Sequence, residues 1–408
     1  MDRVILHCDL NNFFASVECL YHPELSKLPV AVGGDESARH GIVLAKNYRA
    51  KACGIKTGEP LFSARKKCPN LVVLRADYAK YLRFSAFAME IYSQYTDCIE
   101  SFGIDEAWLD VTGSTRLFGS GEEIAHKIRE QIKRELGITV SVGVSWNKIF
   151  AKLGSDLKKP DAVSIISREN YIQLLGNLNI NELLYVGRAS AIRLNRLGIY
   201  TIQQLAETPP DILHSLLGKG GFTLSTFARG EDISPVNSAR LSETIKSIGN
   251  SITPSRNLES EQDVKGIFYV LSQSIAVRLR QQGLLGTVVQ ITIRDASLNI
   301  QQTQKCIPAP TCISGEICTA AMELFLNKWN KQPLRSVGIS VSGLTDDAKV
   351  LQLSLLQDEQ YRMKLYDIEY TLDNIREKYG DFCIGRASLL VDKALTGFHP
   401  VNNHTFTN

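Results

Sequence analysis

Two carboxylates stand side by side at Asp105 and Glu106, between Ser101, Phe102, Gly103 and Ile104 on one flank and Ala107, Trp108, Leu109, Asp110 and Val111 on the other. Those flanks are strand-forming. Successive side chains of a strand point to opposite faces, so the pair can address one target only at a turn or a strand end. Gly103 offers the bend. Like charges held this close raise one another's pKa unless a cation lies between them. The stretch therefore asks for a metal. Read alone, an acidic hairpin tip on a solvated surface is the simpler alternative.

A third carboxylate lies near the start of the chain. Val4, Ile5 and Leu6 read as a buried strand that runs through His7 and Cys8 to Asp9. A helical pattern follows near Asn11 or Asn12, with an Asn available as its cap. An Asp at such a junction is exposed at the sheet edge. Three carboxylates without His or Cys at ligand spacing favour a hard cation such as Mg2+ over zinc. Two such ions about 3.5–4 Å apart stabilise the attacking and leaving oxygens of an in-line phosphoryl displacement. Of Phe13 and Phe14, one belongs to the core. The other lies beside the metal site, where a flat ring walls off a nucleotide sugar and leaves no room for a 2′-hydroxyl.

At 408 residues the chain is too long for one ordinary domain. Its net charge of +3 decides nothing about nucleic acid, but residues 240–350 are the most basic for their size and the tail 351–408 is acidic. The nine cysteines include no Cys-x-x-Cys pair, which fits reduced thiols in a cytosolic protein. Cys306, Cys312 and Cys318 recur every six residues without histidine partners, so no metal is expected there. No signal peptide and no membrane-spanning run is expected.

Residues 29–75 read as an insertion of short strands and basic turns, in which Lys46, Asn47, Tyr48, Arg49 and Lys51 concentrate phosphate-seeking groups. Helices are expected over 77–97 and 121–135, the second stopped by Gly137. Ile138, Val140, Val142 and Val144 alternate as in a half-buried strand. The order β-α-(insertion)-α-β-β-α-β is close to a ferredoxin-like sheet. Lys148 and Lys152 share a helix face, and Lys159, fixed before Pro160, can reach toward metal-bound phosphates.

Residues 167–232 are helical, with glycine turns at Gly187-Arg188 and at Gly218-Lys219-Gly220 whose N–H groups can hold a phosphate. A linker precedes a second β-α-β-β-α-β order, with strands at 244–252, 287–294, 298–307 and 335–341 and helices at 264–282 and 315–330. Lys246 falls on its first strand and Arg294 on its second, with Arg278, Arg280 and Lys305 nearby, a basic sheet suited to a nucleic-acid backbone. Gln352, Leu353, Ser354, Leu355 and Leu356 form an apolar peptide that can dock in a partner's groove. A helix is expected over 358–379 and a disordered tail from about 397.

In combination these motifs resemble a Y-family, lesion-bypass DNA polymerase of bacterial type, over about residues 1–356. The resemblance rests on the strand ending at Asp9 with Phe13 and Phe14 behind it, on Asn47-Tyr48 with Lys51, on Ile104 through Asp110, and on Asn147-Lys148 through Lys159-Pro160. It implies an α+β multidomain right hand: a ferredoxin-like palm (1–11 and 77–166), small inserted fingers (12–76), a helical thumb with helix-hairpin-helix turns (167–232), a linker (233–243), a βαββαβ little finger (244–345) and a tail (346–408).

Carried over by residue, the resemblance implies that Asp9, Asp105 and Glu106 are catalytic and bind two Mg2+ ions with the Leu10 carbonyl. Phe13 and Phe14 would lie at the nucleotide, with Phe14 as steric gate. Tyr48, Lys51 and Lys159 would hold its triphosphate, and Ile42, Leu44 and Gly58 would line the nascent base pair. Gly187, Arg188, Gly218, Lys219, Gly220, Lys246 and Arg294 would contact primer-template DNA. Gln352, Leu353, Leu355 and Leu356 would bind a sliding clamp.

The implied activity is low-fidelity, template-directed synthesis from deoxynucleoside triphosphates by a cytoplasmic monomer that does not contact a membrane. Three positions depart from the family: Lys51 stands where arginine is common, Tyr185 replaces the first glycine of a thumb turn, and Asn11 replaces a frequent second Asp. Two other readings remain open. A nucleotide cyclase could use the same palm but would need neither thumb nor second sheet, and a non-catalytic, clamp-tethered DNA-binding accessory would not need three carboxylates.

Overall fold

The computed structural model describes residues 2–34, 39, 41–237, 245–346 and 359–398. The chain divides into two units, 1–34 with 42–242 and 35–41 with 243–408. The peptide 352–356 and the tail beyond 398 lie outside the described residues.

The first unit opens with β1 (Ile5–Leu10) and α1 (Phe13–Tyr21). An inserted set follows: β2 (Val30–Gly33), β3 (Val43–Lys46), α2 (Tyr48–Ala52), α3 (Leu61–Lys67) and β4 (Val72–Arg75). These strands make their own sheet in the order β3-β2-β4 over a small core of Val43, Ala50, Ile55 and Leu61. The chain then returns through α4 (Tyr78–Ser93), β5 (Ile99–Ser101), β6 (Glu106–Asp110), α5 (Thr115–Phe118), α6 (Gly121–Leu136), β7 (Val140–Ser145), α7 (Lys148–Leu157) and β8 (Val163–Ile165). Its five-stranded sheet has the order β5-β6-β1-β7-β8, with β1 antiparallel to both neighbours.

Local chemistry fixes these elements. Ser120 caps α6 by accepting the Glu123 N–H while Glu123 accepts the Ser120 N–H, a reciprocal pair worth about 1 kcal/mol. Ile124, Ile128 and Ile132 form the buried stripe of α6, and Gly137 ends it at φ 69°, a left-handed turn that costs glycine little. One expectation fails at β7: all six of its residues are buried, not every second one. The reason is α7, which lies against the sheet so closely that a Cβ on Gly143 would stand 1.9 Å from the Ala151 carbonyl oxygen. The expected Asn cap of α1 also fails, because Asn12 holds the N-cap place at φ 49° without a side-chain cap.

The unit continues as helices: α8 (Tyr171–Leu175), α9 (Arg188–Arg196), α10 (Ile202–Glu207), α11 (Pro210–Leu217) and α12 (Lys219–Ala228). Gly218 joins the last two at φ 64° and ψ −146°, a region open to glycine, while a Cβ on Gly221 would meet the Leu213 carbonyl at 2.1 Å.

The second unit contains β9 (Ser247–Ile252), α13 (Glu261–Gln281), β10 (Leu284–Asp295), β11 (Ile300–Thr311), α14 (Ser314–Lys328) and β12 (Leu334–Asp346). Its sheet order is β11-β10-β12-β9. The two helices bury Phe268, Leu271, Ile275 and Phe325 on Val289, Ile291, Ile339 and Val341. α15 (Glu359–Tyr379) and α16 (Lys393–Thr396) follow, with Leu395 buried in the same core. Arg280 anchors α15: its side chain is 5% exposed and lies 2.6 Å from Glu369 and 2.7 Å from Asp373.

Candidate active site

Register builds the site. On adjacent antiparallel strands Asp9 pairs with Glu106, His7 with Trp108 and Ile5 with Asp110, so these side chains share the sheet face on which α7 packs. Asp105 precedes the first residue of β6, and its carbonyl accepts the Leu10 N–H at 3.0 Å. Asp9 and the pair Asp105-Glu106, nearly a hundred residues apart in sequence, are thus brought to the ends of two neighbouring strands.

Burial pushes the Asp9 carboxyl up to about 7 against the pull of Lys159, and the charges on Glu106 and Asp105 push the same way. Burial likewise raises Asp105 to about 6, with Glu106 adding to the effect. Glu106 is also desolvated, but His7 and Lys152 outweigh that and lower it to about 2. Two lysines face the acids: Lys152 Nζ lies 2.5 Å from Glu106 Oε2, and Lys159 Nζ lies 2.6 Å from Asp9 Oδ2 and 2.7 Å from Asp156 Oδ1. As they stand, no three His, Cys, Asp or Glu side chains among the described residues converge closely enough to hold a metal ion. Asp9 and Glu106 lean on separate ammonium groups instead. The donor set nevertheless fits a hard divalent cation, being all carboxylate, partly buried and mutually repelling.

A pH dependence follows for the metal-free chain. Asp9 and Asp105 bind protons more tightly folded than unfolded, where a value near 3.8 applies, so stability is expected to fall as pH rises from about 4 through 7. Glu106 contributes the opposite slope, but only between about 2 and 4.5. Burial lowers the His7 pKa, which opposes this slope below about 6.5, so thermal midpoints measured in chelator should decline from about pH 6.5 to pH 8, and divalent cation should reverse the decline. A flat or rising profile would contradict the assignment.

The ring predicted to lie at the nucleotide can now be chosen. Phe13 is 2% exposed and its ring belongs to the core beneath the sheet. Phe14 is half-buried, stacked on Tyr81 at 4.2 Å and 10°, with Tyr78 edge-on at 5.7 Å. Tyr81 donates to Glu18 Oε1 at 2.7 Å, and Lys80 lies 2.9 Å from the other oxygen.

Tyr48 opens α2, whose cap is the Asn47 side chain accepting the Ala50 N–H. Burial raises the Tyr48 phenol, and the charges of Lys159 and Asp9 reach it. The Lys51 ammonium stands 5.6 Å from its ring centroid. Ile42, 43% exposed, and Leu44 alternate with buried Val43, and the Gly58 N–H donates to the Val43 carbonyl at 2.8 Å, so these three positions cluster.

His7 escaped sequence reasoning, as did the partners of Lys152 and Asn11. His7 lies beneath Glu106, and Lys152 is paired with it. Asn11 is 2% exposed; its Oδ1 accepts from Thr139 and from the Asp161 N–H, and its Nδ2 donates to Ser141. The Oδ1 contact with the Asp161 N–H fastens the turn that carries Lys159, and the amide adds a donor to Ser141 that an aspartate would lack. The period-two alternation of His7 with Asp9 was the available signal.

Tyr185 takes φ 69°, a left-handed conformation that favours glycine, and its side chain is 66% exposed. The backbone of that turn is therefore kept at a strain cost of about 1–2 kcal/mol. Gly187 caps α9 and Arg188 begins it, while Lys219 and Gly220 begin α12.

The expected basic sheet needs correction. β9 begins at Ser247, so Lys246 precedes the strand. Arg280 is engaged by α15, Arg278 by the Gly249 and Ser274 carbonyls, and Lys305 by Glu323. The sheet face away from the helices instead shows rows of small and neutral polar residues, such as Gln304, Gln290, Ser340 and Gly249, with Arg294 at one end. No helix among the described residues is long and apolar enough to cross a membrane.

An acidic site on a sheet, approached by lysines and an aromatic wall and followed by helical hairpins and a separate βαββαβ unit, is the construction of a right-hand nucleic-acid polymerase. Comparison with known proteins narrows that class. Residues 8–156 match the impB/mucB/samB family and residues 245–355 its C-terminal domain. The chain is 50% identical over 396 residues to DNA polymerase IV of Acetivibrio thermocellus, covering 97% of this chain and 99% of that one. It is 35% identical to DNA polymerase IV 2 of Bacillus subtilis, covering 95% of each.

A solved Y-family DNA polymerase chimera of Dbh and Dpo4 superposes with a TM-score of 0.74 at 25% identity, covering 84% of this chain and 99% of that one. DinB from Sulfolobus solfataricus superposes with 0.57, also at 25%, covering 83% and 98%. The chain belongs to the impB/mucB/samB family, the Y-family DNA polymerases.

Proposed function

We propose that this chain carries out template-directed, low-fidelity DNA synthesis across damaged templates, with Asp9, Asp105 and Glu106 holding two Mg2+ ions together with the Leu10 carbonyl. The observation that carries this is the pairing of Asp9 with Glu106 across β1 and β6, with Asp105 bonded to Leu10. Bound there, the ions supply positive charge to the attacking and leaving oxygens when a primer 3′-hydroxyl displaces pyrophosphate from the α-phosphate.

The chain's own residues do the rest. Lys159, already at Asp9, turns its ammonium to the triphosphate, and Tyr48 and Lys51 hold the same group from α2. A lysine in place of arginine gives a point contact there instead of a fork, so nucleotide affinity is expected on the weak side. Phe14 closes the sugar pocket, and Ile42, Leu44 and Gly58 form the floor under the nascent base pair. Residues 1–11 and 77–166 act as palm, 12–76 as fingers, 167–232 as thumb and 244–345 as little finger, joined by a linker at 233–243.

Gly187, Arg188, Gly218, Lys219 and Gly220 hold the DNA backbone from the thumb, and Lys246 and Arg294 from the little finger. The peptide 352–356 in the tail docks on a sliding clamp, and the enzyme works as a cytoplasmic monomer. A cyclase would leave the second unit without a task, and an accessory would leave the three acids without one. Primer extension with Mg2+ on undamaged and lesion-bearing templates tests the proposal. Product on both is expected; no extension on either, with the protein folded and DNA-bound, would sink it.

A further inference from the structure

His7 is fully buried in the middle of β1, on the face it shares with Asp9, Glu106 and Trp108. Its Nδ1 lies 2.8 Å from Ser155 Oγ, and its Nε2 lies 3.3 Å from Glu106 Oε2, the oxygen that Lys152 also touches. Ser155 stands on α7, three residues after Lys152, and its Oγ lies 2.7 Å from the Lys152 carbonyl oxygen. A ring of contacts is thus closed: Lys152 backbone, Ser155, His7, Glu106 and Lys152 ammonium.

A serine hydroxyl carries one proton. If it goes to the Lys152 carbonyl, the imidazole proton must sit on Nδ1, and Nε2 turns a bare lone pair on a carboxylate with no water between. If it goes to Nδ1, the ring proton sits on Nε2 and points at Glu106. Each arrangement leaves one pairing unmade, Nε2 against Glu106 in the first and Ser155 Oγ against the Lys152 carbonyl in the second; the first sets a lone pair on a charged carboxylate and is the costlier, so the Nε2–H tautomer is assigned. Nε2 is among the buried polar atoms whose hydrogen bond is not completed, because Glu106 leans on Lys152. The carboxylate oxygen it faces is Glu106 Oε2, at 3.3 Å.

We infer that His7 is a positioning residue for Glu106: its Nε2–H holds Oε2 and leaves Oε1 for the cation. Lys152 alone cannot fix that orientation, being a long side chain with a freely turning ammonium. His7 can, because Trp108 packs edge-on against it at 5.3 Å and 61° and Ser155 holds its far side. Carboxylates that bind metals are themselves hydrogen-bonded, and removing such a partner typically costs about 10–100-fold in metal affinity. The inference rests on the metal reading of the site given above.

Mn2+ binding to the full-length protein, followed by loss of the free-ion paramagnetic resonance signal, tests it without reference to turnover. His7→Leu should bind Mn2+ about 10–100-fold more weakly, while His7→Gln, whose amide can donate from near the Nε2 position, should recover most of the loss. Unchanged affinity in His7→Leu overturns the inference. So does a His7→Gln variant as weak as His7→Leu, since that marks packing alone. Should His7→Leu lack a cooperative melt, Ser155→Ala decides: several-fold weaker binding supports the inference and parental binding overturns it. Failure of the parent chain itself to bind Mn2+ would overturn the metal reading, and this inference with it.

Discussion

Replacing Asp105 and Glu106 together by alanine is expected to lower the rate of primer extension by at least about three orders of magnitude, because charge stabilisation by bound metal is worth several kcal/mol and each 1.36 kcal/mol is a decade. Primer-template affinity should stay within about threefold, since neither residue lies on the helical turns or the second sheet that hold phosphates in the proposal. The fold should survive. Ala107, Trp108 and Leu109 carry the buried part of β6, whereas the two acids are only half-buried at its start.

Removing them also lowers the cost of burying Asp9, whose carboxyl is pushed up in part by their charges. Against that gain stands Lys152, which loses its partner but keeps the Phe102 ring at 5.3 Å. A thermal midpoint near that of the parent is therefore expected. Single-turnover extension measured beside DNA titration separates the outcomes: persistent extension removes these acids from catalysis, and lost DNA affinity moves them from chemistry to binding.

Much of this site was legible in one dimension because strands and turns obey short-range rules. Asp105 and Glu106 needed a strand end, and the structure gives them one. Gly137 and the helix ending there followed from a 3.6-residue stripe and a glycine stop. What escaped depends on partners chosen in three dimensions. Lys152 and Lys159 look alike in sequence, yet one lies on Glu106 and the other on Asp9.

Arg280 looked like a free cation for nucleic acid until Glu369 and Asp373, about ninety residues later, closed on it. β7 read as half-buried because alternation reports one covered face, and nothing local shows that α7 covers the other. Tyr185 shows the converse: a bulky residue is held at a backbone angle that favours glycine, which no local rule predicts.

Phe14→Ala is the second variant with a large expected effect, and its size follows from how firmly the ring is held. A hydroxyl pressed on a wall that gives way costs little; one pressed on a wall that cannot retreat costs about 1–3 kcal/mol or more, as overpacking does. Phe14 cannot retreat. Tyr81 lies parallel behind it at 4.2 Å, and the Tyr81 hydroxyl is tied to Glu18, itself buried and paired with Lys80. Removing the ring should therefore reduce the preference for deoxynucleotides over ribonucleotides by about 10- to 100-fold.

Incorporation of deoxynucleotides should change far less, because the carboxylates and lysines of the site are untouched. Loss of the stack should cost about 0.5–1.5 kcal/mol of stability, seen as a modest fall in thermal midpoint. Tyr81→Leu offers the sharper comparison, since it keeps the Phe14 ring but removes its backing. An intermediate loss of sugar discrimination is expected if rigidity matters as well as position. Unaltered sugar preference in Phe14→Ala would remove Phe14 from the gate, and parental preference in Tyr81→Leu would show that the ring needs no support behind it.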